Sequence, residues 1–524
     1  MLLKLINLTY IPLRKKTMDD HDHLYSLIHQ LNKGEQSYFK KIKSAFGVSD
    51  SYILSLFSIF QKQEKYNEAE IIKKVKAQLN AEFYAPKKHL LHLDILDVLI
   101  YARLKKQDSL WQINRMVLHA MILKEKMLFD DACKQLAKAK KISEDNEFFY
   151  KTNEINQHLI EIINQAKSMI NFSFSENVES IRMENIQNNI KSTNAEQFFI
   201  LADKLYRKGE ELRLTGNEKI RFEIKNIFDD PLLENSTKTL SLTALSCFHF
   251  IMYSKCINYN INQLEALYHL KELIVLQQKI KRFTPRSKAS QMGNYIVLAL
   301  QASKNDEALE MLNWLENLSE EQSDEYILFS FLAHKGIYLS STNQNDKLEL
   351  YVAEIEAIHT SKLEDARFSK ETMDIQHLLF CYYFRKNEYK KAYNTSITID
   401  KYLDTHTFNT LKFNEKILRL ICAYELQEFE LMQKEIRGIK YLLKTANETL
   451  DADMLVFNTL NQLTKAKNED AKKVILENFN LNYHKFLPND KYSFVIQGFG
   501  FPHWVASKLK NENLKKAPII TWNK

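Results

Sequence analysis

The best metal-ligand set in the chain lies in "KKHLLHLD", where His89 and His92 stand one helical turn apart with Asp94 close behind. Imidazole and carboxylate suit a transition metal, and an i, i+3 pair shares one helix face. A built site also needs a donor from a second element and outer hydrogen bonds that orient the rings. The sequence supplies neither, so the pair reads as residues of a half-exposed helix. His21, Asp22 and His23 ("HDH") lie on a polar terminus and read the same way. "GFGFPH", Gly498 to His503, lacks the third glycine and the following helix of a dinucleotide loop. No GxxxxGK[ST], GxSxG or HExxH occurs. Cys133, Cys247, Cys256, Cys381 and Cys422 are far apart inside apolar helical patterns. They read as buried free thiols in a reducing cytosol. Carboxylates fall in polar stretches such as "SEDNEFF" and "EQSDEY", where helix-surface charge is the default. The expectation is a non-enzyme with no catalytic residue, metal or cofactor.

The elements that would position any site are helices. Nine Gly and seven Pro occur in 524 residues, where average usage gives roughly 60. No Pro lies between Pro285 and Pro488. So few turn formers and helix breakers leave little room for β-hairpins. Ile417, Leu420, Ile421 and Tyr424 fall on one helix face, as do Ile375, Leu378, Leu379, Tyr382 and Tyr383. Short polar breaks at Asp229–Thr239, Lys281–Ser290 and Ser341–Asp346 read as turns between packed helices. A longer polar stretch, Ser175–Gln197, has a composition that also permits helix. "YSFVIQGFGF" is the one place where a short strand is expected.

The net charge of +7 is mild and spread out, which disfavours nucleic acid as a partner. The final stretch, Ala506–Lys524, is locally basic with five Lys against one Glu and reads as a solvated tail. No apolar run reaches the roughly 18 residues that span a bilayer. The first 17 residues carry their apolar part before their basic cluster, the reverse of a secretory signal. They read as a leader foreign to the native protein, with translation starting at Met18. A cytoplasmic protein without membrane attachment is expected.

A repeat organises the rest. "MVLHAMILKEKMLFDDACKQLAKAKKI" holds an apolar helix with Ala120, a charged bend, and a second helix with Ala132 and Ala139. Small residues there let two antiparallel helices approach closely. The stretch resembles the tetratricopeptide repeat, whose eighth, twentieth and twenty-seventh positions these alanines occupy. Phe129 fills the aromatic slot three residues before Ala132. "CYYFRKNEYKKAYNTSITI" repeats the pattern with Tyr383, Tyr389 and Ala392. Ala308, Met432 and Ala471 mark further units, and "IYLSSTNQNDKLELYVAEI" supplies one between Ala308 and Ala392. The spacing runs near 40 residues rather than 34, so these are elongated units.

The N-terminal block, "LYSLIHQLNKGEQSYFKKIKSAFG", is similar to the opening of an uncharacterised family of bacterial helical-repeat proteins. Leu27, Ile28, His29, Lys33, Glu35, Tyr38, Phe39 and Lys40 carry the similarity, with Gly34 and Gln36 where that family has Ser and Lys. The resemblance implies a fold and a bacterial origin, and no activity.

The expected fold is all-α: a right-handed superhelix, or α-solenoid, of stacked antiparallel helix pairs. Residues 18–110 form an N-terminal helical cap, 111–485 the repeat array, and 486–524 a C-terminal cap and basic tail. In such an array the first helices line a concave wall. The resemblance puts groove-facing positions at His377, Cys381, Phe384 and Arg385 in one unit, and at Ile417, Ile421, Tyr424 and Glu425 in the next. This apolar, aromatic wall suits an extended peptide or an amphipathic helix, so the expected role is a protein- or peptide-binding scaffold. The alternative is a ligand-responsive regulator with an N-terminal DNA-binding module, in which "YNEAEIIKKVKAQL" would be the recognition helix.

Overall fold

The computed structural model describes residues 22–45, 51–63, 65–79, 84–104, 109–166, 177–215, 218–259, 262–280, 283–322, 324–357, 369–400, 409–445, 451–483 and 499–510. Among these the chain is all-α, with 23 α-helices, two short 3-10 turns and no strand. The leader expected over residues 1–17, His21 and residues 511–524 lie outside the described residues. So does the expected strand up to Gly498; from Phe501 the chain is helical. A helix therefore does follow "GFG", contrary to the sequence expectation. The chain divides into two compact units between Ser192 and Thr193.

The N-terminal unit opens with α1 (His23–Gln30), α2 (Lys33–Ala45), α3 (Ser51–Gln61), α4 (Glu68–Gln78) and α5 (Tyr84–Leu104) around one core. Its sequence pattern has local physical causes. Asp22 caps α1 by accepting from the Tyr25 amide at 2.9 Å. Asn32 and Glu35 form a reciprocal capping box at the start of α2. The His29 ring reaches the Phe60 carbonyl at 3.1 Å, and Phe39 stacks on Phe57 at 4.8 Å. There follow α6 (Ser109–Glu125), α7 (Phe129–Asp145) and α8 (Phe149–Ala166). The first part of α9 (Val178–Thr215) packs on α8 through amides: Asn156 Nδ2 donates to Asn185 Oδ1 and Asn153 Nδ2 to Asn189 Oδ1, each at 2.8 Å.

The C-terminal unit continues through the rest of α9, α10 (Glu218–Phe228), α11 (Leu242–Tyr259) and α12 (Gln263–Lys279). Then come α13 (Pro285–Gln301), α14 (Asn305–Glu321), α15 (Glu325–Ser341), α16 (Asn345–Ala357), α17 (Ser369–Arg385) and α18 (Tyr389–Asp400). The unit ends with α19 (Asn409–Glu425), α20 (Phe429–Thr445), α21 (Asp451–Leu463), α22 (Glu469–Asn482) and α23 (Phe501–Lys510). Consecutive helices pack as pairs, and the first helix of a pair also packs on the first helix of the next: α13 on α15, α15 on α17, α19 on α21. One hydrophobic core runs from Tyr253 to Val505. Gly336 of α15 makes that stacking close, because a Cβ there would collide with Leu378 of α17 and Tyr351 of α16.

A single turn geometry joins the repeat helices. Met127, Glu147, Ser303, Asn343, Asn387 and Gln427 all have φ between 51° and 61°, and no other non-glycine residue described has positive φ. Each stands two residues past a helix end. The next residue donates its N–H to the carbonyl five positions back: Leu128 to Leu123, Phe148 to Ser143, Lys304 to Ala299, Gln344 to Leu339, Glu388 to Tyr383 and Glu428 to Ala423. This is the Schellman closure, built without glycine. Five residues after each left-handed position comes a buried one: Ala132, Thr152, Ala308, Leu348, Ala392 and Met432. The small positions expected from the sequence thus sit at a fixed distance from a fixed turn. Glu147 in "SEDNEFF" marks a bend that the sequence reading took for helix-surface charge.

Candidate peptide-binding wall

The α17–α18 and α19–α20 pairs are closed by the turns at Asn387 and Gln427, each of which sets the register within its own pair. The C-terminal half of α17 is apolar almost all round, and Ile375, Leu378, Leu379, Phe380, Cys381, Tyr383 and Phe384 are buried. The eight expected groove residues fall into two groups. His377, Cys381, Ile417 and Ile421 belong to the interior. His377 Nε2 lies 2.6 Å from Glu415 Oε1, and Ser396 Oγ donates to Glu415 Oε2 at 2.8 Å. Burial pushes the Cys381 thiol up to about 12. Ile417 and Ile421 have no exposed surface.

Phe384, Arg385, Tyr424 and Glu425 are drawn together around a segment of the same chain, the Phe499 bend and α23. The Phe499 ring stands 4.9 Å from Phe384 and 5.8 Å from Phe380, and Tyr389 closes on Phe384 at 5.1 Å. Trp504 is fully buried, with its ring 5.9 Å from Tyr424. Its indole Nε1 donates to Glu425 Oε1 at 2.5 Å, while Lys508 Nζ reaches Glu425 Oε2 at 2.8 Å. Each oxygen of the Glu425 carboxylate therefore takes one donor from α23. Burial brings the Arg385 guanidinium down to about 10. Burial and the Arg385 charge both hold the His503 imidazole below its ordinary value, which puts α23 within electrostatic reach of Arg385. From below, Phe479 of α22 meets Phe501 at 4.9 Å.

Phe499, Trp504 and Lys508 are the residues that the sequence reading assigned to a cap and tail. The signal that could have found them is the placing of Trp and Lys four apart behind two Phe, one face of a helix. A second cluster was not visible in the sequence. Glu435, buried on α20, accepts from the Tyr393 hydroxyl at 2.9 Å and lies 3.3 Å from the buried Arg419 guanidinium. It has no periodic signature, because its members come from three helices.

The chemistry open to these groups is limited. In the Ser396–Glu415–His377 chain the carboxylate is the middle member and accepts from the hydroxyl. Activating a serine would need the imidazole in the middle instead. Asp94 is drawn into an ion pair with Lys43 at 2.6 Å, away from His89 and His92. Asp22 joins Lys88 at 2.5 Å. Among the described residues no three His, Cys, Asp or Glu side chains cluster as metal ligands. On α4, the recognition-helix candidate, Lys74 pairs with Glu70 at 2.5 Å. No described helix is long and apolar enough to cross a membrane. No protein-family model matches the chain, and no curated protein matches it.

Proposed function

We propose that the protein is a cytoplasmic, non-catalytic scaffold that binds a protein or peptide along its array of helix pairs, in the manner of tetratricopeptide proteins. One observation carries this reading: the seating of Phe499 on Phe384 and of α23 on Tyr424 and Glu425. The chain holds this short helix as a groove holds an amphipathic helical peptide, with aromatic anchors against an apolar wall and a carboxylate for the donors. The regular turns support the reading further, since each joins the two helices of its pair in the same way.

The test is affinity purification from the native cell with the wild-type chain and with Glu425→Lys. Arg385 and Phe384 are too deeply buried to serve as probes, and changing them would disturb the core. A partner held by the wild type and lost with Glu425→Lys is the expected result. Identical sets of retained proteins would sink the placement of the binding wall.

A further inference from the structure

The C-terminal helix that supports the scaffold reading is itself a candidate ligand. α23 is ten residues long, and its last turn carries Lys508 and Lys510. One face is buried through Phe501, Trp504 and Val505, while His503, Lys508 and Lys510 are exposed. Its ring contacts outside itself are with Tyr424 of α19 and Phe479 of α22, and Phe499, two residues before it, meets Phe380 and Phe384 of α17, so the terminal segment reaches several repeat helices. A helix that only sealed the last pair would need apolar contact with α22 alone. Glu425 is different in kind. Its side chain is 8% exposed, and both its oxygens are spent on α23, one on the indole N–H and one on the Lys508 ammonium. If α23 left, that carboxylate would stand in an aromatic wall without either donor, a costly state that a replacement ligand relieves.

We propose that the α17–α19 wall recognises amphipathic helices bearing a Trp and, one turn later, a Lys, and that Phe499 with α23 is its resident intramolecular occupant, which an outside helix of the same chemistry displaces. This rests on the scaffold reading for the existence of an outside partner, but the occupancy itself does not. The wall then has two states. In one it is closed by its own chain, and in the other it is open to a partner that must outcompete a tethered rival. A partner lacking the Lys would leave Glu425 Oε2 unpaired, and one lacking the Trp would leave Oε1 unpaired and an aromatic cavity unfilled. The wall thus reads spacing as well as type.

The experiment uses the full chain and a labelled peptide of residues 499–510. Fluorescence anisotropy measures binding, and hydrogen exchange follows α23. Wild type is expected to bind the peptide weakly. Lys508 is exposed, so Lys508→Glu leaves the core intact and should bind a few-fold more tightly. Trp504→Ala with Lys508→Glu should free α23, speed its exchange and tighten peptide binding by about tenfold or more. Adding Glu425→Lys should abolish that gain. The proposal is overturned if the double variant exchanges fast over α23 yet binds the peptide no better than wild type. It is overturned equally if α23 exchanges no faster, since Trp504 and Lys508 would then not be what holds it. A wild-type dimer that dissociates with Lys508→Glu would assign the helix to a second copy and overturn the intramolecular occupancy. Peptide binding without any captured cellular partner would leave this inference standing and remove the scaffold reading alone.

Discussion

The α6–α8 helices of the N-terminal unit and the α17–α20 helices of the C-terminal unit share their turns and differ in their contents. Both use a left-handed residue two places past a helix end and a buried residue five places later. Yet α6 leaves Leu118, Met121 and Ile122 exposed, with Met127 and Leu128 open at its turn, and α8 meets α9 through asparagines. By contrast α17 and α19 bury most of their aromatic residues, set Phe384 against Phe499 and Tyr424 against α23, and Glu415, Arg419 and Glu435 are buried beside them. Helix-pair geometry therefore does not decide what a pair does. The turn sets the register, and the side chains on the first helices decide whether a face stays open or takes a specific occupant.

The largest expected effect separates the two kinds of interior. Glu435→Ala removes a buried carboxylate that accepts from the Tyr393 hydroxyl and lies 3.3 Å from the Arg419 guanidinium, and should cost the C-terminal unit about 3–5 kcal/mol. Asn156→Ala removes one amide hydrogen bond in the N-terminal unit and should cost about 1 kcal/mol. Urea midpoints read locally by hydrogen exchange would check both. Equal losses would break the comparison. Next in size are Ala132→Leu and Ala392→Leu, one in each unit at the same place relative to its turn. Both alanines are fully buried, so each change should cost about 1–3 kcal/mol through overpacking. A harmless substitution at either site would show that the two pairs are not built alike.

Acid should distinguish the units as well. In the C-terminal unit His249 and His269 are buried with their Nδ1 atoms 2.9 Å apart, among Phe248 and Tyr268. Burial and then the neighbouring imidazole bring His249 down to about 4 from an ordinary 6.5. Burial also lowers His269, against the opposing pull of Glu265. The unfolded chain therefore takes up protons that the folded one refuses. The stabilising contribution is full above about pH 6.5 and is lost as pH falls toward 4. The urea midpoint of this unit should drop over that window, and His249→Phe should flatten the drop. Among the described residues of the N-terminal unit no buried pair of imidazoles occurs: His119 on α6 is exposed and His158 on α8 partly so.

The sequence carries these features unequally. Helix content and the small packing positions Ala120, Ala132, Ala139, Ala308 and Ala392 were legible because a helix face has a period and close approach demands small side chains. The polar start of α9 was ambiguous, since Asn–Asn contacts make a packed face without an apolar stripe. The turn at Glu147 was hidden because only glycine, and to a lesser degree asparagine, advertises a left-handed residue. Phe384, Tyr424 and Glu425 were expected to face a groove from repeat register alone, and the structure places Phe499 and α23 against them. That occupant could not be named in advance, because Glu425 and Trp504 are 79 residues apart and no local pattern links them.

The smallest prediction tests the shared feature directly. A left-handed backbone brings an L-residue's Cβ against the following carbonyl, at roughly 1–2 kcal/mol, and glycine escapes this. Glycine also loses more freedom on folding, roughly 0.5–1 kcal/mol, which offsets part of the gain. Glu147→Gly at φ 51° and Gln427→Gly at φ 56° should therefore each stabilise by about 0.5–1 kcal/mol, or about 1–4 °C in Tm. Asn387→Gly should gain less, because Asn tolerates this region through its short polar side chain. The same gain in both units would confirm that one turn geometry, independent of what the helices carry, sets the register throughout. A gain at Gln427 alone would mean that the N-terminal pair relaxes at Glu147, and that its likeness to the α19–α20 pair ends at the hydrogen-bond pattern.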